Sequence, residues 1–305
     1  MRVLVVGSFI VDLVARTERA PEAGESVRGL SFNRYPGGKG ANQAVAAKRL
    51  GADVIMAGCV GNDDFGRDFF GIFKEEGIPT DYIKKSDKSS TGCSLVTVET
   101  SGQNRICMVP GANLDYTVED LTALEEVIVS SEIVVTQCEM RPEIVDELAK
   151  LCAKHSKKFV LNPAPARSLS DETLKAVYIL TPNETELAAI VGRELESDED
   201  YASAGKELLL KGVKNVVVTL GSKGSMLING DGVTKIPSVK VKAVDTVGAG
   251  DSFTGALSAT LAAGKDLITA LKTATATAAV SVQRNGAIPS MPNLNEVTAL
   301  LLSNK

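Results

Sequence analysis

Residues 244–255 read VDTVGAGDSFTG. Gly248 and Gly250 flank Ala249, and Asp251 then opens a segment whose apolar positions, Phe253, Ala256 and Leu257, recur at helical spacing. Glycines let the backbone turn sharply and expose consecutive N–H groups. The helix that follows adds donors without an intrahelical partner and the positive end of its dipole. Such a turn can hold a phosphate, or the negative charge that develops as one is transferred. Asp251 beside it reads in two ways. It is either a base that takes the proton of an attacking hydroxyl or a plain helix cap. A Gly-rich turn alone leaves these readings even.

Three further segments bear on the choice. PGGKGAN at 36–42 precedes a helical run and offers Lys39 as a cation and Asn42 as both donor and acceptor, a mixture suited to a polyhydroxylated ligand. On its own it reads equally as a flexible loop with Lys39 in solvent. TPNETE at 181–186 follows the apolar run Tyr178–Leu180, at the strand end where α/β proteins put ligands. Asn183 and Glu186 there could hold a hydrated Mg²⁺, or form a capping box. VTLGSKG at 218–224 is again a strand entering a Gly-rich turn, either a nucleotide cradle or a tight turn into the next strand. No G-x-x-x-x-G-K-[ST] occurs, and GAGDSFTG lacks G-x-G-x-x-G spacing, which disfavours P-loop and Rossmann chemistry.

Around these segments short β-branched runs recur: Val3–Val6, Val54–Ala57, Ile133–Thr136, Phe159–Leu161, Tyr178–Leu180 and Val216–Thr219. They are apolar throughout, as strands buried on both faces of a parallel sheet must be. Helical patterns lie between them, with Phe65, Phe69 and Phe73 on one face and Ile144, Leu148 and Leu151 on another. Alternation of this kind predicts an α/β sandwich with a mostly parallel sheet. Residues 13–36 lack a helical period, and Cys93–Val98 and Arg105–Val109 read as two strands, so both regions could form a small antiparallel lid or ordinary edge strands. After Asp245 three helical patterns follow, at 251–263, 266–283 and 293–302.

Of the 305 residues, 44% are hydrophobic and 23% charged, with a formal net charge of −5. That excludes a general attraction for nucleic acid or anionic membrane. No apolar run approaches the ~18 residues of a membrane span, and no signal peptide is read at RVLVVG, so a cytoplasmic protein is expected. The five cysteines are scattered, and four sit in apolar surroundings, so all are expected to be reduced core thiols. The single histidine, His155, lies in a Lys-rich surface segment, which argues against His-based triads or zinc sites.

PGGKGANQAVAAKRLGA and DTVGAGDSFTGAL, in this order and separation, resemble the two signatures of the ribokinase-like (pfkB) carbohydrate kinases. VGNDDFG, Thr91-Gly92, PGAN at 110–113, LNPAPAR at 161–167, TPNETE and VTLGSKG extend the match over nearly the whole chain. The resemblance implies a three-layer αβα sandwich of about nine strands as a single kinase domain over 1–305. A β-sheet lid, formed by about 13–36 and 91–110, would close over a sugar and help form a homodimer. It implies transfer of phosphate from ATP to the 5-hydroxyl of D-ribose, with Mg²⁺ and with K⁺ as activator. Asp251 would be the general base, and Gly248, Ala249 and Gly250 the anion hole. Ile10, Asp12, Gly38, Lys39, Gly40, Ala41, Asn42 and Glu139 would line the sugar site. Asn183, Glu186, Thr219, Leu220, Gly221, Ser222, Lys223, Gly224 and Thr275, with Gly250 and Asp251, would serve ATP and its metal. Asp245, Val247, Ser281, Arg284, Gly286 and Ser290 would hold potassium. One position departs from the pattern. Bacterial members often carry Asn two residues before the sugar-binding aspartate, where this chain has Ile10, which bears on selectivity between ribose, deoxyribose and other sugars. A non-catalytic binder on the same scaffold would need neither Asp251 nor its glycines.

Overall fold

The computed structural model describes residues 1–303. Thirteen strands run in chain order: β1 (Arg2–Val6), β2 (Ile10–Thr17), β3 (Gly29–Gly37), β4 (Asp53–Gly61), β5 (Ile83–Ser86), β6 (Gly92–Glu99), β7 (Asn104–Val109), β8 (Ile133–Gln137), β9 (Lys158–Asn162), β10 (Val177–Leu180), β11 (Asn215–Thr219), β12 (Ser225–Asn229) and β13 (Gly232–Ile236). Nine of them form one sheet in the order β13-β12-β11-β10-β9-β8-β1-β4-β5. It is parallel from β5 to β11, and at the other edge β12 alone is reversed, pairing antiparallel with both β11 and β13. All six apolar runs expected as strands lie in this sheet.

Side-chain alternation explains why those runs are apolar on both faces. In β1, Val3 and Val5 enter one core and Leu4 and Val6 the other. The first core lies under the helices Lys39–Arg49, Asp64–Glu76, Ala249–Ala262 and Leu267–Ser281. The second lies under Pro142–Lys154 and Asp198–Leu210. The result is the expected αβα sandwich. Each fully buried Val or Leu contributes about 1.5–3 kcal/mol by leaving water.

A second sheet, β3-β2-β6-β7, stands apart from the first as a lid. It departs from the antiparallel form expected, because β2 and β6 pair in parallel along their whole length, Ile10 opposite Gly92 through Thr17 opposite Glu99. The two strands come from different excursions out of the main sheet, each leaving it in the same direction, and antiparallel pairing is confined to β2–β3 and β6–β7. The cysteine expectation also needs correction. Cys59, Cys138 and Cys152 are buried, but Cys93 is half-buried and Cys107 exposed, and all five are free. Cys107 lies in the apolar run of edge strand β7, where apolar sequence does not mean core. Burial pushes the Cys59 thiol up to about 12 and the Cys152 thiol higher still, so neither is a thiolate near neutral pH. His155 is half-buried, with Nε2 2.6 Å from Glu125.

Several motifs turn out to brace the lid. Phe9, between β1 and β2, stacks against Phe69 and Phe73 with centroids 5.1 and 5.7 Å away, contacts of about 0.5–1.5 kcal/mol each. Asn113 of PGAN accepts from the Phe9 N–H at 2.9 Å and donates to the Phe9 carbonyl at 2.8 Å. Asp63 of VGNDDFG caps its helix through the Gly66 N–H and also accepts from the N–H and hydroxyl of Thr91. Both strands that enter the lid, β2 and β6, are thereby fixed at their roots.

Candidate active site

Gly248 ends the 244–248 loop with φ of +75°, the left-handed region open to glycine, and a Cβ there would come within 3.1 Å of the Ala287 Cα. The helix Ala249–Ala262 then begins at once, and its first-turn amides have no acceptor within the helix. Asp251 sits in that turn and is only 6% exposed. A carboxylate so buried must be hydrogen-bonded. Its Oδ2 accepts from Asn42 Nδ2 at 2.8 Å and its Oδ1 from Gln43 Nε2 at 2.9 Å. Both donors lie on the helix Lys39–Arg49, which packs directly against Ala249–Ala262. Gln43 is itself held by Gln137, which donates to its Oε1 at 2.7 Å, and it donates in turn to Asn162 at 3.1 Å.

Two cavities meet here. The larger, about 510 Å³, lies between the lid and the main sheet and takes in Ile10, Asp12, Gly38, Lys39, Asn42, Glu139, Asp245, Val247, Gly248, Asp251 and Gly286 of the expected set. The smaller, about 200 Å³, lies at the C-terminal strand ends and is lined by Asn183, Glu186, Thr219, Ala249 and Gly250, again with Lys39, Gly248 and Asp251. Asn183 and Glu186 do make the capping box, with bonds of 2.8 and 2.9 Å, and still present themselves to this cavity.

Lys39 is the cation at the junction. Burial alone would lower its pKa, but the negative charges of Asp251, Glu139, Glu186 and Asp12 hold it above its ordinary value. The carboxyl of Glu139 is pushed up by burial, against the opposing pull of Lys39 and of hydrogen bonds from the Ser8 hydroxyl and the Lys39 N–H, the latter 2.9 Å. Glu186 is raised by burial and by Asp251, opposed by the Asn183 N–H and Lys39.

Other expected residues lie elsewhere. Gly40 and Ala41 are buried in the helix, where their N–H groups reach the Ser8 hydroxyl and carbonyl rather than either cavity. Leu220, Gly221, Ser222, Lys223 and Gly224 form the tight turn into β12, outside both cavities. Thr275 is buried outside them too, with its hydroxyl unpartnered. Ser281, Arg284 and Ser290 surround the loop that carries Gly286 without lining either of these two cavities. Gln43, Gln137, Asn162, Ser8 and Ser94 were not singled out from sequence. Gln43 carried a signal as a polar residue inside an otherwise small and apolar helix face, and Asn162 lies within the segment LNPAPAR at 161–167.

Residues 1–294 match the profile described as pfkB family carbohydrate kinase. The chain belongs to the pfkB family. This pfkB-family chain is 42% identical over 300 residues to a ribokinase of Bacillus subtilis, covering 98% of this chain and 99% of that one. It is 34% identical over 306 residues to a deoxyribokinase of Salmonella typhi, covering all of both. Among solved structures, the Arabidopsis thaliana ribokinase complexed with ribose and ATP superimposes on this pfkB-family fold with a TM-score of 0.92 at 33% identity, covering 98% of each chain.

Proposed function

We propose that this chain is an ATP-dependent ribokinase that phosphorylates D-ribose at its 5-hydroxyl. The observation that carries the reading is the shared wall: Lys39, Gly248 and Asp251 line both cavities, one deep enough for a sugar and one at a helix N-terminus suited to phosphates. In this reading Asp251 takes the proton of the sugar hydroxyl while the hydroxyl oxygen forms its bond to the γ-phosphorus. The bond from phosphorus to the β,γ-bridging oxygen breaks, and ADP leaves with that electron pair. The amides at Gly248, Ala249 and Gly250 and the Lys39 ammonium offset the charge on the transferring group. Asp12, Gly38, Asn42 and Glu139 orient the sugar, and the lid excludes water.

Mg²⁺ belongs to the same reading. Among the described residues no group of three or more His, Cys, Asp or Glu converges as a metal cage. Glu186 and Asn183 offer a sparse oxygen set beside the phosphate site, and Mg²⁺ suits such a set, keeping water and phosphate as its other ligands. Bound there, it would neutralise phosphate charge.

For K⁺ the donors fit as oxygens only. Asp245 bridges the two loops concerned, accepting from Val247 N–H at 3.0 Å and Gly286 N–H at 2.9 Å. Ser281 and Ser290 add hydroxyls, and Arg284, whose guanidinium is bound to Glu296, would contribute its carbonyl. Replacing K⁺ by tetramethylammonium is expected to lower kcat roughly fivefold or more, and to lower Tm, with both responses lost in Asp245→Ala. Equal rates and melting in the two salts would remove the site.

We further read the chain as one kinase domain over 1–305 with its lid at about 13–36 and 91–110, acting as a homodimer. Ile106 and Met108 of edge strand β7, exposed on the lid face that roofs the sugar-side cavity, support a second copy as partner there. No helix among the described residues is long and apolar enough to cross a membrane, and five free thiols fit the reducing cytoplasm.

Deoxyribose is the second reading. Ile10 lines the sugar-side cavity and is 4% exposed, an apolar wall with no side-chain hydrogen bond to offer. ADP release measured with D-ribose, 2-deoxyribose, fructose and adenosine separates the cases. Ribose is expected to give the highest kcat/KM; no turnover of ribose beside rapid turnover of another substrate would overturn the assignment.

A further inference from the structure

We infer that Ser94 is a positioning residue that sets the orientation of Asp12, and through it the affinity for the sugar. This deepens the proposed function and rests on it for the role of Asp12.

The geometry comes from the parallel pairing within the lid. Asp12 of β2 and Ser94 of β6 are direct register partners, so both side chains stand on the same face of the sheet. That face is the ceiling of the sugar-side cavity, and both residues line it. The Ser94 hydroxyl donates to Asp12 Oδ1 and is itself 4% exposed. Ile10, Val14 and Val96 beside the pair cannot hold a carboxylate, and of the polar side chains on the same face, Tyr35, Asn33 and Arg16 line the cavity without a hydrogen bond to Asp12, which accepts from Ser94. On the other side of Asp12, β3 supplies its register partner Tyr35, and Gly37 lies so close that a Cβ there would be 3.2 Å from Oδ2. Asp12 has two rotatable side-chain bonds. The Ser94 bond fixes them, engages Oδ1 and leaves Oδ2 to accept from a ligand hydroxyl.

Charge around the pair points the same way. Burial pushes the Asp12 carboxyl up, the Ser94 hydrogen bond pulls it down, Asp251 from the helix Ala249–Ala262 raises it and Lys39 from the helix Lys39–Arg49 lowers it. A raised carboxyl pKa means that the acceptor form is lost as pH falls through the folded value. Removing the Ser94 hydroxyl removes one stabiliser of the ionised form, so that loss begins at a higher pH.

The test is steady-state kinetics of the full chain with D-ribose and ATP across pH, for Ser94→Ala, Asp12→Asn and the double variant. Ser94→Ala is expected to raise the sugar KM about tenfold, the scale of a hydrogen bond to a charged group, with kcat and the ATP KM unchanged. The acid side of its sugar-KM profile should move to higher pH. In the Asp12→Asn background the same change should add nothing. If Asp12→Asn raises the sugar KM but Ser94→Ala alone does not, or if the two effects add in full, the inference is overturned and the proposed function stands. An unchanged sugar KM in Asp12→Asn would instead remove Asp12 from the sugar site and take the inference with it.

Discussion

Asp251→Asn is expected to lower kcat about a thousandfold, within the roughly 10²–10⁴-fold that a general base supplies, while the sugar still binds within a few-fold of its native affinity. The substitution keeps the size of the side chain and changes its proton chemistry. In the native site both carboxylate oxygens accept from amides, Asn42 at 2.8 Å and Gln43 at 2.9 Å. A new amide at 251 can still accept from one of them, and its own NH₂ can donate to the Asn42 oxygen, which has no partner in the native site and needs only a flip of that amide to be reached. The network therefore closes again, and what is lost is the capacity to take a proton. Single-turnover rates with calorimetric sugar binding check this. Turnover within tenfold of native would eliminate Asp251 as the base.

Gly255→Val is expected to act through packing, with an equally clear signature. A single Cβ at Gly255 would lie 2.6 Å from the Ala46 Cβ and from the Gln43 carbonyl, and 3.0 Å from the Ala47 nitrogen. Two of those three atoms are backbone, so the helices must move apart. Overpacking of this kind costs about 1–3 kcal/mol or more, which in a chain of this length lowers Tm by about 2–5 °C or more. The same separation draws Asn42 and Gln43 away from Asp251, so kcat falls together with stability. Gly71→Ala serves as the contrast. It sits in the helix Asp64–Glu76 with nothing within 4 Å of the added carbon, and should stabilise by about 0.5–1 kcal/mol. Equal melting temperatures for Gly255→Val and the native chain would refute the close-contact argument.

The large sheet was legible because its strands are buried on both faces, and continuous apolar runs such as Ile133–Thr136 carry that information locally. The Gly-rich turn at 248–250 and the strand-end position of Asn183 were legible for the same reason, being written in adjacent residues. The parallel β2–β6 pair was not. Its register joins residues about 80 positions apart, and nothing in either strand alone distinguishes a parallel neighbour from an antiparallel one. Gln43 was half legible: its polarity on a buried helix face showed, but not that its partners would be Asp251, Gln137 and Asn162. Asn183 and Glu186 could not be assigned between cap and cavity from sequence because they are both. In VTLGSKG the glycines made the turn readable, yet only Thr219 reaches the cavity, because the turn swings its later residues away towards β12.

The hydrogen bonds from Asn42 and Gln43 to Asp251 join residues 209 and 208 positions apart. A chain emerging from the ribosome can begin to form β1, β4 and the helix Lys39–Arg49 long before the helix Ala249–Ala262 exists. Until that last fifth of the chain arrives, Gln43 has no carboxylate to hold and the first core lacks two of its four covering helices. Contacts of such long range form late, after the entropy of closing the chain has been overcome. Nascent fragments therefore hold a half-built pocket without Asp251, and the shared wall of the two cavities is complete only when residues near both ends of the chain have met in space.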